Sequence, residues 1–172
     1  EDFSERGTPA AKVPPGPQAE EISPQQLAEQ LRVPGTVVLD FTTSANYVAR
    51  HIPGAYWLVR SQLRQALEVI PSAERYVVTC GSSLLARYAA PEVAALTGKP
   101  VRLLSGGTLA WIDAGLALEH GETHLATPRS DRYQRPYEGT DNSPAAMQAY
   151  LDWEFGLVEQ LKRDGTHGFT VL

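Results

Sequence analysis

The chain has 172 residues, 42% hydrophobic and 20% charged, a globular composition with room for one domain plus extensions or for two very small domains. Its net charge of −5 disfavours binding to a phosphate backbone as the main activity, and no apolar run approaches the roughly 20 residues that span a bilayer. A single cysteine, Cys80, excludes an internal disulfide and a cysteine-rich zinc site; it fits a reducing compartment and leaves a free thiol to explain.

The first 21 residues carry Pro9, Pro14, Pro15 and Pro17 with Gly7 and Gly16, the composition of a semi-rigid, extended linker. They lack the charged-then-apolar pattern of a secretory signal. The chain opens on Glu1 and its one methionine is Met147, so the expectation is a piece of a longer polypeptide or a processed product, and the linker composition at its start suggests a domain before it. Structure begins at Ser23-Pro24, a cap followed by a proline at the first helical position, with Leu27 and Leu31 on one face. Residues 36–41 (TVVLDF) read as a short buried strand, 43–51 as a short helix, and 52–58 (IPGAYWL) as a turn into an extended piece. A helix over 61–70 has Leu63, Leu67 and Ile70 at helical spacing. Residues 76–80 (YVVTC) form the next strand, and 84–97 a helix with a kink or restart near Pro91, ended by Gly98. A strand over 100–104 (PVRLL) and a short helix over 108–115, closed by Gly115, complete the series.

This alternation over residues 23–118 predicts an α/β fold, a parallel sheet flanked by helices on both faces. In such folds chemistry gathers beyond the carboxyl ends of the strands, where Cys80 stands. Past Gly115 the character changes. Residues 120–143 are polar and without periodicity, and 143–165 form an amphipathic helix. Ser143 caps it and Pro144 opens it. Met147, Leu151, Glu154 or Phe155, Val158 and Leu161 make its stripe, and Lys162, Arg163 and Gly165 close it. Such a stripe needs burial on the α/β core or on a neighbour. The domain layout expected is therefore a linker (1–21), an α/β domain (22–120) and an extended segment plus C-terminal helix (121–172).

A lone cysteine ending a buried strand is most often inert packing. The turn Gly81-Ser82-Ser83, between a strand and a helix, argues for the other reading, because that arrangement presents a nucleophile at the sheet's carboxyl edge. The thiolate is the reactive form. Successive N–H groups over 81–85 can curl into an anion-binding nest, the following helix aims its N-terminal dipole at the sulfur, and Arg87 is a nearby cation.

The motifs also fall in a familiar order: Asp40, Tyr47 and His51-Ile-Pro-Gly-Ala55; then Val77-Val-Thr-Cys80-Gly-Ser-Ser and an Ala-rich helix; then Val101-Arg-Leu-Leu-Ser-Gly-Gly107 leading through Trp111 to Ala114-Gly115. Over residues 23–120 this resembles the rhodanese (thiosulfate sulfurtransferase) homology domain. The resemblance implies a rhodanese-like sheet with a C-terminal helical extension. It implies that Cys80 takes a sulfane sulfur from a small donor such as thiosulfate, holds it as a persulfide and passes it to a thiol or to cyanide. The amides of Gly81, Ser82, Ser83, Leu84 and Leu85 would cradle the persulfide, with neither metal nor organic cofactor. Further rhodanese domains on the same polypeptide, a cytoplasmic setting, and no nucleic-acid or membrane partner complete the expectation.

Departures from the family pattern bear on the substrate. Many members have Arg five residues after the cysteine, where this chain has Leu85; Arg87 lies about 200° further round a helix. The Arg and Glu that commonly follow the Asp are Thr42 and Asn46, and the Gly before the His is Arg50. Arg60 and Arg87 rank equally as replacement cations, with Arg50 a third. The missing loop Arg leaves room for a non-enzymatic reading, a sulfur-sensing or interaction module.

Other constellations weigh less. His51 with Cys80 suggests a dyad without a third orienting residue, and the family's histidine at this place is structural. A cysteine phosphatase on this fold needs Arg six residues past the cysteine, where Ala86 stands. Gly106-Gly107 lacks a Walker lysine and reads as a strand-to-helix turn. Arg and Tyr alternate over 129–138, but Asp131 and Glu138 dilute the patch. His120, His124 and His167 are too scattered for a metal site. Trp57 and Trp111 read as core.

Overall fold

The computed structural model describes residues 16–132, 144–166 and 168, in two compact units divided at residues 132 and 133. The first holds five parallel strands: β1 (Glu20–Ile22), β2 (Thr36–Asp40), β3 (Tyr56–Trp57), β4 (Arg75–Thr79) and β5 (Val101–Leu104), in the order β1-β5-β4-β2-β3. Between them run α1 (Pro24–Gln30), α2 (Ser44–Ala49), a 3-10 turn (Arg60–Gln62) leading into α3 (Leu63–Val69), α4 (Leu84–Thr97) and α5 (Gly107–Asp113). The α/β fold expected from the alternation is the fold found.

Two apolar layers sandwich the sheet. On one face Leu39, Phe41, Tyr76, Val78 and Cys80 pack with α3 and α4; on the other Val38, Val77 and Leu104 pack with Leu27, Tyr47 and Trp111 of α1, α2 and α5. This is the strand period of two at work, since neighbours in β4 serve opposite layers. The cap at Ser23 is reciprocal: its hydroxyl accepts from the Gln26 amide and the Gln26 side chain accepts from the Ser23 amide, a device worth about 1 kcal/mol.

Three features differ from the sequence expectation. β1 lies at the end of the stretch read as linker, where Glu20, Glu21 and Ile22 pair with Arg102, Leu103 and Leu104. α4 runs unbroken through Pro91, an exposed position where the proline forgoes one intrahelical hydrogen bond. Residues 121–127, read as part of the extension, lie along the first unit, where Leu125 bridges to Trp57 just after Glu119 bridges to His51. In the second unit α6 (Pro144–Asp164) carries Met147, Leu151, Val158 and Leu161, all exposed. The linker up to residue 15, the polar stretch 133–142, the Ser143 cap and His167 lie outside the described residues.

Candidate active site

β4 is the central strand, and its apolar run ends by delivering Cys80 to the carboxyl edge of the sheet. Cys80 is 6% exposed and belongs to the layer under α3 and α4, with Phe41, Leu58 and Ala86 as members of the same cluster. Thr79 belongs to the opposite side, its hydroxyl 3.1 Å from that of Thr108. The cysteine is thus both a packed residue and the first residue of a loop.

That loop is short. Gly81, Ser82 and Ser83 make the turn, and Leu84 and Leu85 are already the first residues of α4. Ser83 adopts the left-handed conformation (φ 65°), and its hydroxyl donates to the Leu104 carbonyl at the end of β5. α5 holds the loop from beneath: the Thr108 amide donates to the Cys80 carbonyl and the Leu109 amide to the Gly81 carbonyl, each at 3.0 Å. The approach is close enough to require glycine at 107. A Cβ there would lie 2.3 Å from the Cys80 oxygen and 2.7 Å from the Ser83 nitrogen, and φ is +69°.

Of the five amides expected to cradle a sulfur anion, Ser83's is directed back to the Cys80 carbonyl (3.4 Å). The amides of Leu84 and Leu85 open α4 with no intrahelical acceptor, and no side chain caps them, because the Ser83 hydroxyl is engaged at β5. Those donors point out of the positive end of a 14-residue helix. The Leu84 and Leu85 side chains are exposed, at 69% and 42%.

The two cations ranked highest from sequence are both held by carboxylates. Arg87 pairs with Glu21 at 2.6 Å, and Glu21 also accepts from Ser105. Those two hydrogen bonds, Ser105's first and then Arg87's, keep the Glu21 carboxyl below its usual range. Arg60 grips Glu92 with two bonds, at 3.0 and 2.6 Å, which raises the arginine's pKa and lowers the glutamate's. Arg50 differs: its guanidinium has no partner among the described residues. It lines a cleft of about 440 Å³ together with Thr42, Asn46, Ala49, Gly81, Thr108, Leu109 and Ile112.

Beneath this corner lies Asp40, fully buried at the end of β2. One carboxylate oxygen accepts from the Thr42 amide (2.8 Å) and the other from the Thr108 hydroxyl (3.4 Å). These bonds do not offset its burial, which pushes its pKa up to about 7.

His51 has no nitrogen to spare for the thiol. Fully buried and stacked on Tyr47 at 3.7 Å, it donates from Nδ1 to the Tyr47 carbonyl (2.6 Å) and pairs through Nε2 with the Thr123 hydroxyl (3.1 Å). Among the described residues no group of three or more His, Cys, Asp or Glu side chains could hold a metal, and no helix is long and apolar enough to cross a membrane.

A family model for the rhodanese-like domain matches residues 23–114, more than half of the chain. The chain belongs to the rhodanese-like domain family. It is 68% identical, over 99% of its length, to part of a crystallised thiosulfate sulfurtransferase from Pseudomonas aeruginosa, with a TM-score of 0.89. It spans only 33% of that protein. The fold recurs in a rhodanese-related protein from Thermoplasma volcanium (21% identity, TM-score 0.52, 58% of this chain and 97% of that one). It recurs also in a rhodanese-like domain protein from Staphylococcus aureus (21%, 0.51, 60% and 99%). No curated protein matches the chain.

Sequence reasoning brought Cys80 and its loop together but missed two parts of the corner. Gly107 was read as a turn residue only, although a glycine pair after a strand also signals close backbone approach. The cleft joins α2 to α5, segments about sixty residues apart, and only the three departures at 42, 46 and 50 hinted at it.

Proposed function

We propose that this rhodanese-like domain is a sulfurtransferase that carries sulfane sulfur on Cys80. The observation that carries this reading is the setting of the chain's one thiol. It ends the central parallel strand, in a loop whose Cys80 and Gly81 carbonyls are held by α5 while, among the described residues, no side chain caps the amides opening α4. Strong identity to part of a thiosulfate sulfurtransferase supports the same reading.

In the loading step the Cys80 thiolate attacks the sulfane sulfur of thiosulfate. The bond between the two donor sulfurs breaks, its electron pair leaves on sulfite, and Cys80 carries the persulfide. In the discharge step cyanide attacks the terminal sulfur, the Sγ–S bond breaks, and thiocyanate leaves with the Cys80 thiolate restored. Charge builds on sulfur in both steps, where the α4 amides and helix dipole act as fixed donors. Neither step calls for a metal or an organic cofactor. Further rhodanese domains on a longer polypeptide remain part of this proposal, the chain spanning one third of the Pseudomonas protein, and the unpaired thiol supports a reducing cytoplasm.

A second reading, a sulfur sensor that turns over little, is favoured by the engagement of Arg60 and Arg87 with Glu92 and Glu21. Intact mass after thiosulfate, a wash and cyanide separates the two. A carrier gains one sulfur atom and releases it as thiocyanate through repeated cycles, a sensor holds it, and absence of any gain from thiosulfate or polysulfide overturns both.

A further inference from the structure

Asp40, Thr79 and Thr108, all buried, form a polar chain that neither step of sulfur transfer uses directly. Asp40 ends β2, and among the described residues no cation pairs with it. One of its carboxylate oxygens accepts from the Thr42 amide two residues on, a turn that closes the strand. The other faces the Thr108 hydroxyl at 3.4 Å. That hydroxyl lies 3.1 Å from the Thr79 hydroxyl, and Thr79 donates to the Cys80 carbonyl at 3.2 Å. β2, β4 and α5 thus meet in one line that ends on the nucleophile's own peptide group. The Cys80 carbonyl also accepts from the Thr108 amide (3.0 Å) and the Ser83 amide (3.4 Å), more donors than its two lone pairs. Pinning this oxygen fixes the plane of the peptide after Cys80. In a trans peptide the Gly81 N–H is then directed the opposite way, out of the corner held by Thr108.

We propose that Thr108 is a positioning residue for Cys80, acting through the chain Asp40–Thr108–Thr79–Cys80 carbonyl, which the Asp40 proton completes. This rests on the reading of Cys80 as the sulfur carrier. The chain has three contacts, and each hydroxyl brings one proton. With Asp40 protonated, three protons fill the three contacts, all donated towards Cys80. With Asp40 ionised, Thr108 gives its proton to the carboxylate, and the one proton of Thr79 is divided between Thr108 and the carbonyl. Burial, which pushes the Asp40 pKa up to about 7, keeps the filled state within reach of neutral pH. The other titratable or charged groups about Asp40 are few. Tyr47 of α2 is kept as a phenol by burial first, Arg50 at the end of α2 lines the cleft with Thr42 and Thr108, and the Cys80 thiol stands at the far end of the chain. The strand residues in register with Asp40, Thr79 and Trp57, do not titrate.

Two measurements on the full chain test it. In the first, sulfur loading from thiosulfate is timed per folded molecule in Thr108→Val, which removes the hydroxyl, and in Thr108→Ser, which restores it. A limiting rate about tenfold lower in Thr108→Val, at an unmoved half-saturating thiosulfate concentration and recovered in Thr108→Ser, supports the positioning role. Equal rates in the wild type and Thr108→Val, or a loss that Thr108→Ser does not recover, overturn it. In the second, the carbon shift of the Cys80 carbonyl is followed as pH rises through about 7. A step in the wild type that disappears in Asp40→Asn, whose amide is a permanent donor to Thr108, supports the chain. No step, or a step that survives Asp40→Asn, overturns it. If the step belongs to Asp40 but Cys80 never loads sulfur, the carrier reading and the positioning role fall together, while the hydrogen-bonded chain stands. If Cys80 loads and Thr108→Val loads as fast, the positioning role alone falls.

Discussion

His51 and Cys80 are both buried and both carry a reactive heteroatom, yet their surroundings differ in what they leave open. Around His51 every polar group is matched. Both ring nitrogens have partners, the Tyr47 hydroxyl lies 2.6 Å from the Ala55 carbonyl, and the Gly54 amide donates to Glu119 at 2.8 Å. Around Cys80 the bonding is uneven: α5 takes up the Cys80 and Gly81 carbonyls and the Ser83 amide turns back to Cys80, while among the described residues no side chain caps the first amides of α4. A corner with no valence to spare holds a fold together. A corner with donors to spare, kept in position by other bonds, is built for an anion that arrives later.

The sharpest way to break this contrast is Cys80→Ser. Sulfur loading should vanish from the intact mass while the melting temperature moves little; residual loading on another residue would defeat the assignment. Gly107→Ala comes next, because its Cβ meets the loop backbone at 2.3 Å. The loop must shift, and loading should slow at least about tenfold with a stability loss of about 2 kcal/mol. An unchanged rate would mean that the α5 contact does not position the sulfur.

His51→Ala probes the other corner and should do the reverse. It should cost about 3 kcal/mol in denaturant unfolding, as a buried, hydrogen-bonded ring is lost, with loading per folded molecule preserved. Loss of loading in a folded variant would revive the Cys–His dyad. The last test concerns Asp40, whose folded pKa of about 7 lies above the ordinary 3.8. The folded state holds a proton that the unfolded chain releases between these values. Asp40's contribution is therefore most favourable below pH 3.8 and is lost as pH rises to about 7. Asp40→Asn should remove that slope from a plot of melting temperature against pH, and an identical slope in the variant would show that Asp40 is not its source.

Most of the fold was legible because its strands are apolar, β-branched and bounded by turn residues, as at 36–40 and 75–79. β1 was not, since Glu-Glu-Ile has no strand pattern of its own and is extended only through pairing with β5. At the site, Cys80 and its turn are local in sequence and could be read directly. The engagement of Arg60 and Arg87 could not, because their carboxylates lie 32 and 66 residues away and meet them only once the sheet is assembled. Arg50 was named among three cations, and nothing short of the paired states of the other two could single it out.

The lengths of the outermost strands have a consequence of their own. The sheet ends in β1 and β3, three and two residues long, and β1 presents two glutamates. On β3 the outer edge is already taken, since Trp57 donates its N–H to the His124 carbonyl and accepts from the Ala126 amide; on β1 a row that short is a poor template for another extended chain, and its charge discourages pairing further. The sheet therefore resists edge-to-edge aggregation, and copies of this fold can be crowded together without fusing through their strands.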